Sequence, residues 1–251
     1  IHNYPLRPNV TTMSNYVMFL SDHITVNSVV TYLSGIVMIL EPYYPDVHQI
    51  HHSCIVRDTI TGCRRLRNLP TSRKTPFTIS MLQQISQQSS SSYDSTLFLT
   101  ILLVGFHGLL RLGELCDPDK PSLRNPTKQI RRTSVKDIDN NCITFLLPAT
   151  KVDRFFEGNL VLIKSVWPEI DAVVTFRRYL NLRDAQHPYS SPLWLTSSRD
   201  VPTRSFFIQH LRAFNLGSQY SGQSMRAGGA AAWADKGAPT DIIQALGHWS
   251  S

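Results

Sequence analysis

The stretch Asn68-Leu69-Pro70-Thr71-Ser72-Arg73-Lys74-Thr75-Pro76 constrains this chain more than any other. Its two prolines fix φ, withhold backbone donors and bias the residues before them away from helix. Polar, basic and proline-bracketed, it reads as a linker over residues 69–77 between a domain of residues 1–68 and another of residues 78–251.

Before the linker the pattern is helical. Thr11-Thr12-Met13-Ser14 offers N-cap residues ahead of Tyr16, Val17, Phe19 and Leu20. A second helix, with Thr25, Asn27 or Ser28 as its cap, carries Val29, Val30, Leu33, Ile36, Val37 and Leu40. A third is expected from Val47 to Leu66, ending in the basic cluster Arg64, Arg65 and Arg67.

Beyond the linker, helices are expected over Ile79 to Gln88 and over an apolar run ending at Arg111, with the loop Ser89 to Ser92 between them. The period then changes. Ile130 to Val135, Cys142 to Leu147 and Asn159 to Ile163 read as short strands, with Asp139-Asn140-Asn141 as a tight turn. Helices return over Val173 to Arg183, Arg204 to Phe214, Ser224 to Lys236 and from Asp241 onward. The fold class is α+β: mainly helical, with a small antiparallel sheet inserted in the larger domain.

Composition narrows the partner. Lys and Arg number 25 against 18 Asp and Glu, a net charge of +7, which favours an anionic partner, nucleic acid being the commonest. Charge alone also fits a merely basic soluble protein. The run Leu97 to Leu110 is too short to span a membrane comfortably and contains His107, so it reads as a buried helix. The four cysteines form no CxxC pair and no leader-like segment precedes them, so reduced thiols in an intracellular protein are expected. His48 and His52 share a helical face with His51 nearby, but no carboxylate or thiol at ligand spacing completes a metal site.

Three boxes carry the chemistry. The first is Gly108-Leu109-Leu110-Arg111-Leu112-Gly113-Glu114-Leu115, the second Gln223-Ser224-Met225-Arg226-Ala227-Gly228-Gly229-Ala230, the third Leu246-Gly247-His248-Trp249. Alone, Arg111 reads as a helix C-terminal residue meeting the dipole, and Arg226 as a surface arginine. Together they suggest a phosphate clamp, because a guanidinium fork bonds two oxygens at once and never deprotonates. Gly228 and Gly229 let a helix pack closely beside Arg226, and Pro239-Thr240-Asp241 caps the helix that delivers His248 and Trp249.

On these boxes the chain resembles the tyrosine recombinase/integrase family of DNA breaking–rejoining enzymes. Residues 78–251 are similar to its catalytic domain, and residues 1–68, by pattern, to its helical core-binding, SAM-like domain. Phe106-His107-Gly108 and Asp153-Arg154-Phe155-Phe156-Glu157-Gly158 give the chain the style of recombinase-like frames of fungal genomes, derived from mobile elements. The resemblance implies that Arg111 and Arg226 grip the scissile phosphate, Glu114 braces the site, and Lys151, otherwise a hairpin lysine, is the general acid. It places His248 on the phosphate from the third box, with Trp249 in support.

It also implies double-stranded DNA as partner, contacted by Arg64, Arg65, Arg67, Arg73 and Lys74, a homo-oligomeric synapse (a tetramer in the family) and a nuclear location. No metal, small-molecule cofactor or membrane partner is implied, because a covalent protein–DNA link preserves the bond energy. One departure stands out. Gln223 occupies the family's histidine position, and an amide donates a hydrogen bond but shuttles no proton at neutral pH. The nucleophilic Tyr is expected one to three turns beyond His248. The chain begins at Ile1 and stops at Ser251 within the third box, so a longer reading frame is expected. Strand cleavage and rejoining is therefore expected to be impaired here; a DNA-binding derivative that no longer cuts, or a degenerate fragment, is the alternative. Arg111, Lys151, Gln223, Arg226 and His248 should converge on one basic pocket.

Overall fold

The computed structural model describes residues 7–67, 73–148 and 158–247, which divide into two compact units, Ile1–Ser72 and Arg73–Ser251. The first unit is built from α1 (Val10–Ser21), α2 (Val26–Leu40), α3 (Val47–His51) and α4 (Cys54–Arg67). Met13, Val17, Val29, Leu33, Val37 and Val56 form its core. Helix α1 starts earlier than its sequence suggests. Asn9 accepts from the Thr12 backbone N–H at 2.9 Å while the Thr12 hydroxyl accepts from Asn9 N–H at 3.0 Å, a reciprocal cap worth about 1 kcal/mol. Of the three candidate caps for α2, Thr25 serves.

The single helix expected from Val47 to Leu66 is in fact two. The Ser53 hydroxyl accepts from Val56 N–H, so the side chain offers the backbone an alternative to helix continuation, and a new helix starts at Cys54.

In the second unit α5 (Ile79–Gln88) begins at the Thr78 cap, and α6 (Tyr93–His107) is the central rod. Every residue of α6 from Thr96 to His107 is buried, which explains the long apolar run. Thr100 satisfies its hydroxyl on the Thr96 carbonyl at 2.7 Å. Short helix α7 (Leu112–Leu115) follows, then strands β1 (Lys136–Asp139), β2 (Cys142–Leu147) and β3 (Asn159–Lys164) in one antiparallel sheet of that order. Helices α8 (Ala172–Gln186), α9 (Arg204–Arg212), α10 (Gly222–Asp235) and α11 (Thr240–Leu246) complete it. No helix among the described residues is long and apolar enough to cross a membrane.

The first strand is displaced from its expected place. Ile130 to Val135 is not a strand: Arg132–Ser134 forms a 3₁₀ turn, and the first strand is Lys136–Asp139. Tertiary partners decide this. Arg132 binds both carboxylate oxygens of Asp184 on α8, and the backbone of 130–132 pairs with residues 191–193 instead of β2. Arg177 of α8 then clamps the β1–β2 turn through Asp137 and the Asn140 carbonyl.

Candidate functional site

The first box begins with a turn that the sequence hides. Helix α6 ends at His107, not at Arg111. Leu110 N–H bonds the Gly105 carbonyl at 2.9 Å and Leu109 N–H points to Phe106 O at 3.4 Å, the bonding of a Schellman stop. The left-handed position in that stop is Leu109, at φ +51°, where glycine is usual. Complete burial of Leu109 and Leu110 offsets the backbone strain.

Arg111 is consequently not a helix C-terminal residue. It is the extended N-cap of α7, at ψ 143°. Its N–H donates to Glu114 Oε2 at 2.7 Å and its Nη1 to Oε1 at 3.0 Å. With its side chain only 7% exposed, Glu114 fixes the direction of the guanidinium.

Arg226 comes from the first turns of α10, whose N-terminus is closed by a Ser221–Ser224 capping box. Close packing sets its position. A Cβ on Gly228 would lie 2.2 Å from the Phe77 carbonyl oxygen, and one on Gly229 2.0 Å from that of Phe106, so α10 sits directly on backbone. Arg226 Nη1 donates to Leu109 O at 3.0 Å and Nη2 to Gly247 O, joining the three boxes. Burial, then the neighbouring Arg111 cation, pushes its pKa down to about 10, against the pull of Glu114. It stays cationic at neutral pH.

Arg111, Gln223 and Arg226 line one cavity of about 810 Å³, joined by Lys74 and Arg204. Four of the lining residues are cations and none is a carboxylate, among the described residues. Such a hollow selects an anion with several acceptor oxygens. Gln223 is exposed, its backbone N–H taken by the Ser221 hydroxyl at 3.3 Å. Lys151, His248 and Trp249 lie outside the described residues. Helix α11, which leads to the third box, starts within the expected Pro239-Thr240-Asp241 segment, with Pro239 at its cap position and no side-chain cap bond.

The basic residues proposed for DNA separate into kinds. Arg64 and Arg65 are exposed on α4. Arg67 is engaged within its own unit, bonded to Asp22 at 2.8 Å and to the Met18 carbonyl at 3.0 Å. Arg73 is exposed, whereas Lys74 is half-buried and donates to the Ser218 carbonyl at 2.8 Å. Arg204 was not legible as a site residue, since it opens a helix far from the boxes. Its guanidinium lies over Gly113, 2.7 Å from where a Cβ would stand, which is how it reaches the cavity.

This architecture is the α+β fold of the integrase catalytic domain. Similar solved structures include integrases and site-specific recombinases. The Tn1549 transposon integrase in complex with circular intermediate DNA superposes with a TM-score of 0.63 at 12% identity, over 97% of this chain and 78% of that one. A lambda integrase dimer bound to a COC′ core site gives 0.63 at 12%, over 100% and 80%. XerH recombinase bound to palindromic difH substrate gives 0.61 at 10%, over 97% and 64%. No protein-family model matches the sequence, and no curated protein does.

Proposed function

We propose that this chain binds double-stranded DNA and holds one backbone phosphate in the Arg111–Arg226 cavity, as a strand cleavage-and-rejoining site of the tyrosine recombinase type. The observation that carries the reading is the convergence of Arg111 and Arg226, 115 positions apart in sequence, with Lys74 and Arg204 on one cavity that has no carboxylate among its described lining residues. The similar structures with DNA bound support duplex DNA as the anion, and the lambda integrase dimer supports homo-oligomeric assembly on it. Lys151 and His248, with Trp249 beside it, complete the site in this reading, and Arg64, Arg65 and Arg73 add phosphate contacts.

Preorganised donors of this kind are worth a few kcal/mol each in the transition state of phosphoryl transfer. Gln223 contributes a hydrogen bond but no proton, which lowers turnover by about a hundred- to ten-thousand-fold if a general acid–base is lost there. The same observation favours a second reading, a recombinase-derived protein that clasps DNA without cutting it. Fungal mobile-element descent and a nuclear location belong to the proposal and rest on the style of the boxes.

The test is duplex binding across a salt series. Each phosphate neutralised gives a slope of about −0.9 in log K against log salt, so a steep fall is expected. Binding that is absent, or flat from low to moderate salt, rejects the proposal.

A further inference from the structure

We infer that Lys74 grips the same phosphate as Arg226, supplying from the interdomain strap a positive charge that Gln223 does not carry. The inference rests on the DNA reading above and adds a residue to its site.

The strap is fixed against the lead-in to α10. Thr75 N–H bonds Gln219 O at 3.0 Å and Phe77 N–H bonds Ser224 O at 3.1 Å, on either side of Gln223. Phe77 is 1% exposed and stacks on Tyr220 at a ring separation of 5.3 Å. Gly228 leaves the space that the Phe77 carbonyl occupies. Lys74 therefore enters the cavity wall from a pinned backbone, although it lies in a stretch whose composition suggests a loose connector.

The donors already present are partly committed. Arg226 gives one N–H to Leu109 O and another to Gly247 O, and Arg111 gives one to Glu114. Both arginines are thereby oriented, with part of each fork spent on the protein itself. An ammonium has three donors, and Lys74 places one on Ser218 O. That bond ties the ammonium to the wall of the neighbouring hollow, which shares Lys74 with the Arg226 cavity, and leaves donors over for an incoming oxygen. Lys74 also borders the adjoining hollow of about 790 Å³ that contains Arg212, so the next phosphate along the strand is the competing target.

The experiment is a double-mutant cycle on affinity for a short DNA duplex, with melting temperature as the check on folding. Lys74→Gln removes the charge and keeps an N–H donor, one bond nearer the backbone. It should weaken binding about tenfold, the worth of one charge-assisted hydrogen bond, and reduce the salt slope by about one, with melting unchanged. Lys74→Arg should restore most of the affinity. Lys74→Gln with Arg226→Gln should lose clearly less than the product of the two single losses, because both residues hold one phosphate. If Arg226→Gln does not fold, Arg111→Gln replaces it. Strict additivity assigns Lys74 to another phosphate and overturns the inference while leaving the DNA reading intact. Wild-type binding by Lys74→Gln overturns it too, and duplex binding insensitive to the arginine variants overturns both.

Discussion

Arg226 reaches across 117 positions of sequence to donate to the Leu109 carbonyl at 3.0 Å, and the residue it reaches is the one held left-handed at the end of α6. The bond couples a strained turn to the cavity that Arg111 and Arg226 line. The turn aims its carbonyl inward and starts the extended Arg111, while the carbonyl orients the Arg226 fork. Gly247 receives the other arm of that fork, so the approach to the third box is tied to the same side chain.

Arg226→Lys tests that coupling. Lysine retains the charge but presents no planar fork to two carbonyls. We expect a loss of about 1–2 kcal/mol in stability, hence a fall in melting temperature of several degrees, together with weaker duplex binding. Unchanged melting would mean that the two carbonyls gain nothing from the arginine.

Gln223→Glu should separate affinity from stability. The side chain is exposed at the wall of a cavity lined by Lys74, Arg111, Arg204 and Arg226. A carboxylate there repels a phosphate and attracts those cations. Duplex affinity should fall more than tenfold at low salt while melting stays level or rises. An affinity equal to wild type would put the bound DNA elsewhere.

Gly229→Ala should damage the fold at a single methyl. The added Cβ would stand 2.0 Å from the Phe106 carbonyl oxygen, which is backbone of the central helix and has no room to retreat. We expect at least the 1–3 kcal/mol of ordinary overpacking, or roughly 2–12 °C in melting temperature. Gly35→Ala is the control, because nothing lies within 4 Å of its added atom.

His107 should make stability acid-sensitive. It is 2% exposed between Phe106 and Trp167, with Nδ1 bonded to Leu103 O at 2.9 Å. Burial holds its pKa down at about 4 against an ordinary 6.5, with the Leu103 bond and Asp171 pulling the other way. The unfolded chain takes up this proton below pH 6.5 and the folded chain only near 4. The contribution is thus full above 6.5, declines as pH falls through that window and levels off below 4, on the order of 3 kcal/mol in all. Melting curves of His107→Phe between pH 7 and pH 4 should be flatter than those of the wild type; parallel curves would show that another group sets the slope.

What the sequence determined by itself was whatever local chemistry decides. Thr78 before an amphipathic run gives α5 over Ile79 to Gln88, and a short apolar run behind the Asp139-Asn140-Asn141 turn gives the strand Cys142 to Leu147. The boxes taken together, and the family they resemble, singled out Arg111, Gln223 and Arg226, none of which stands out alone. Tertiary structure decided the rest. Leu109 adopts a left-handed backbone that its own side chain disfavours, since burial and the Schellman bonds outweigh the local cost. The first strand moved because Arg132 found Asp184 on α8, 52 positions away. Lys74 and Arg204 entered the cavity only because α10 lies against the strap and α9 opens beside Gly113. Neither neighbour is encoded near those residues, and long-range packing alone gathers separated cations around one cavity.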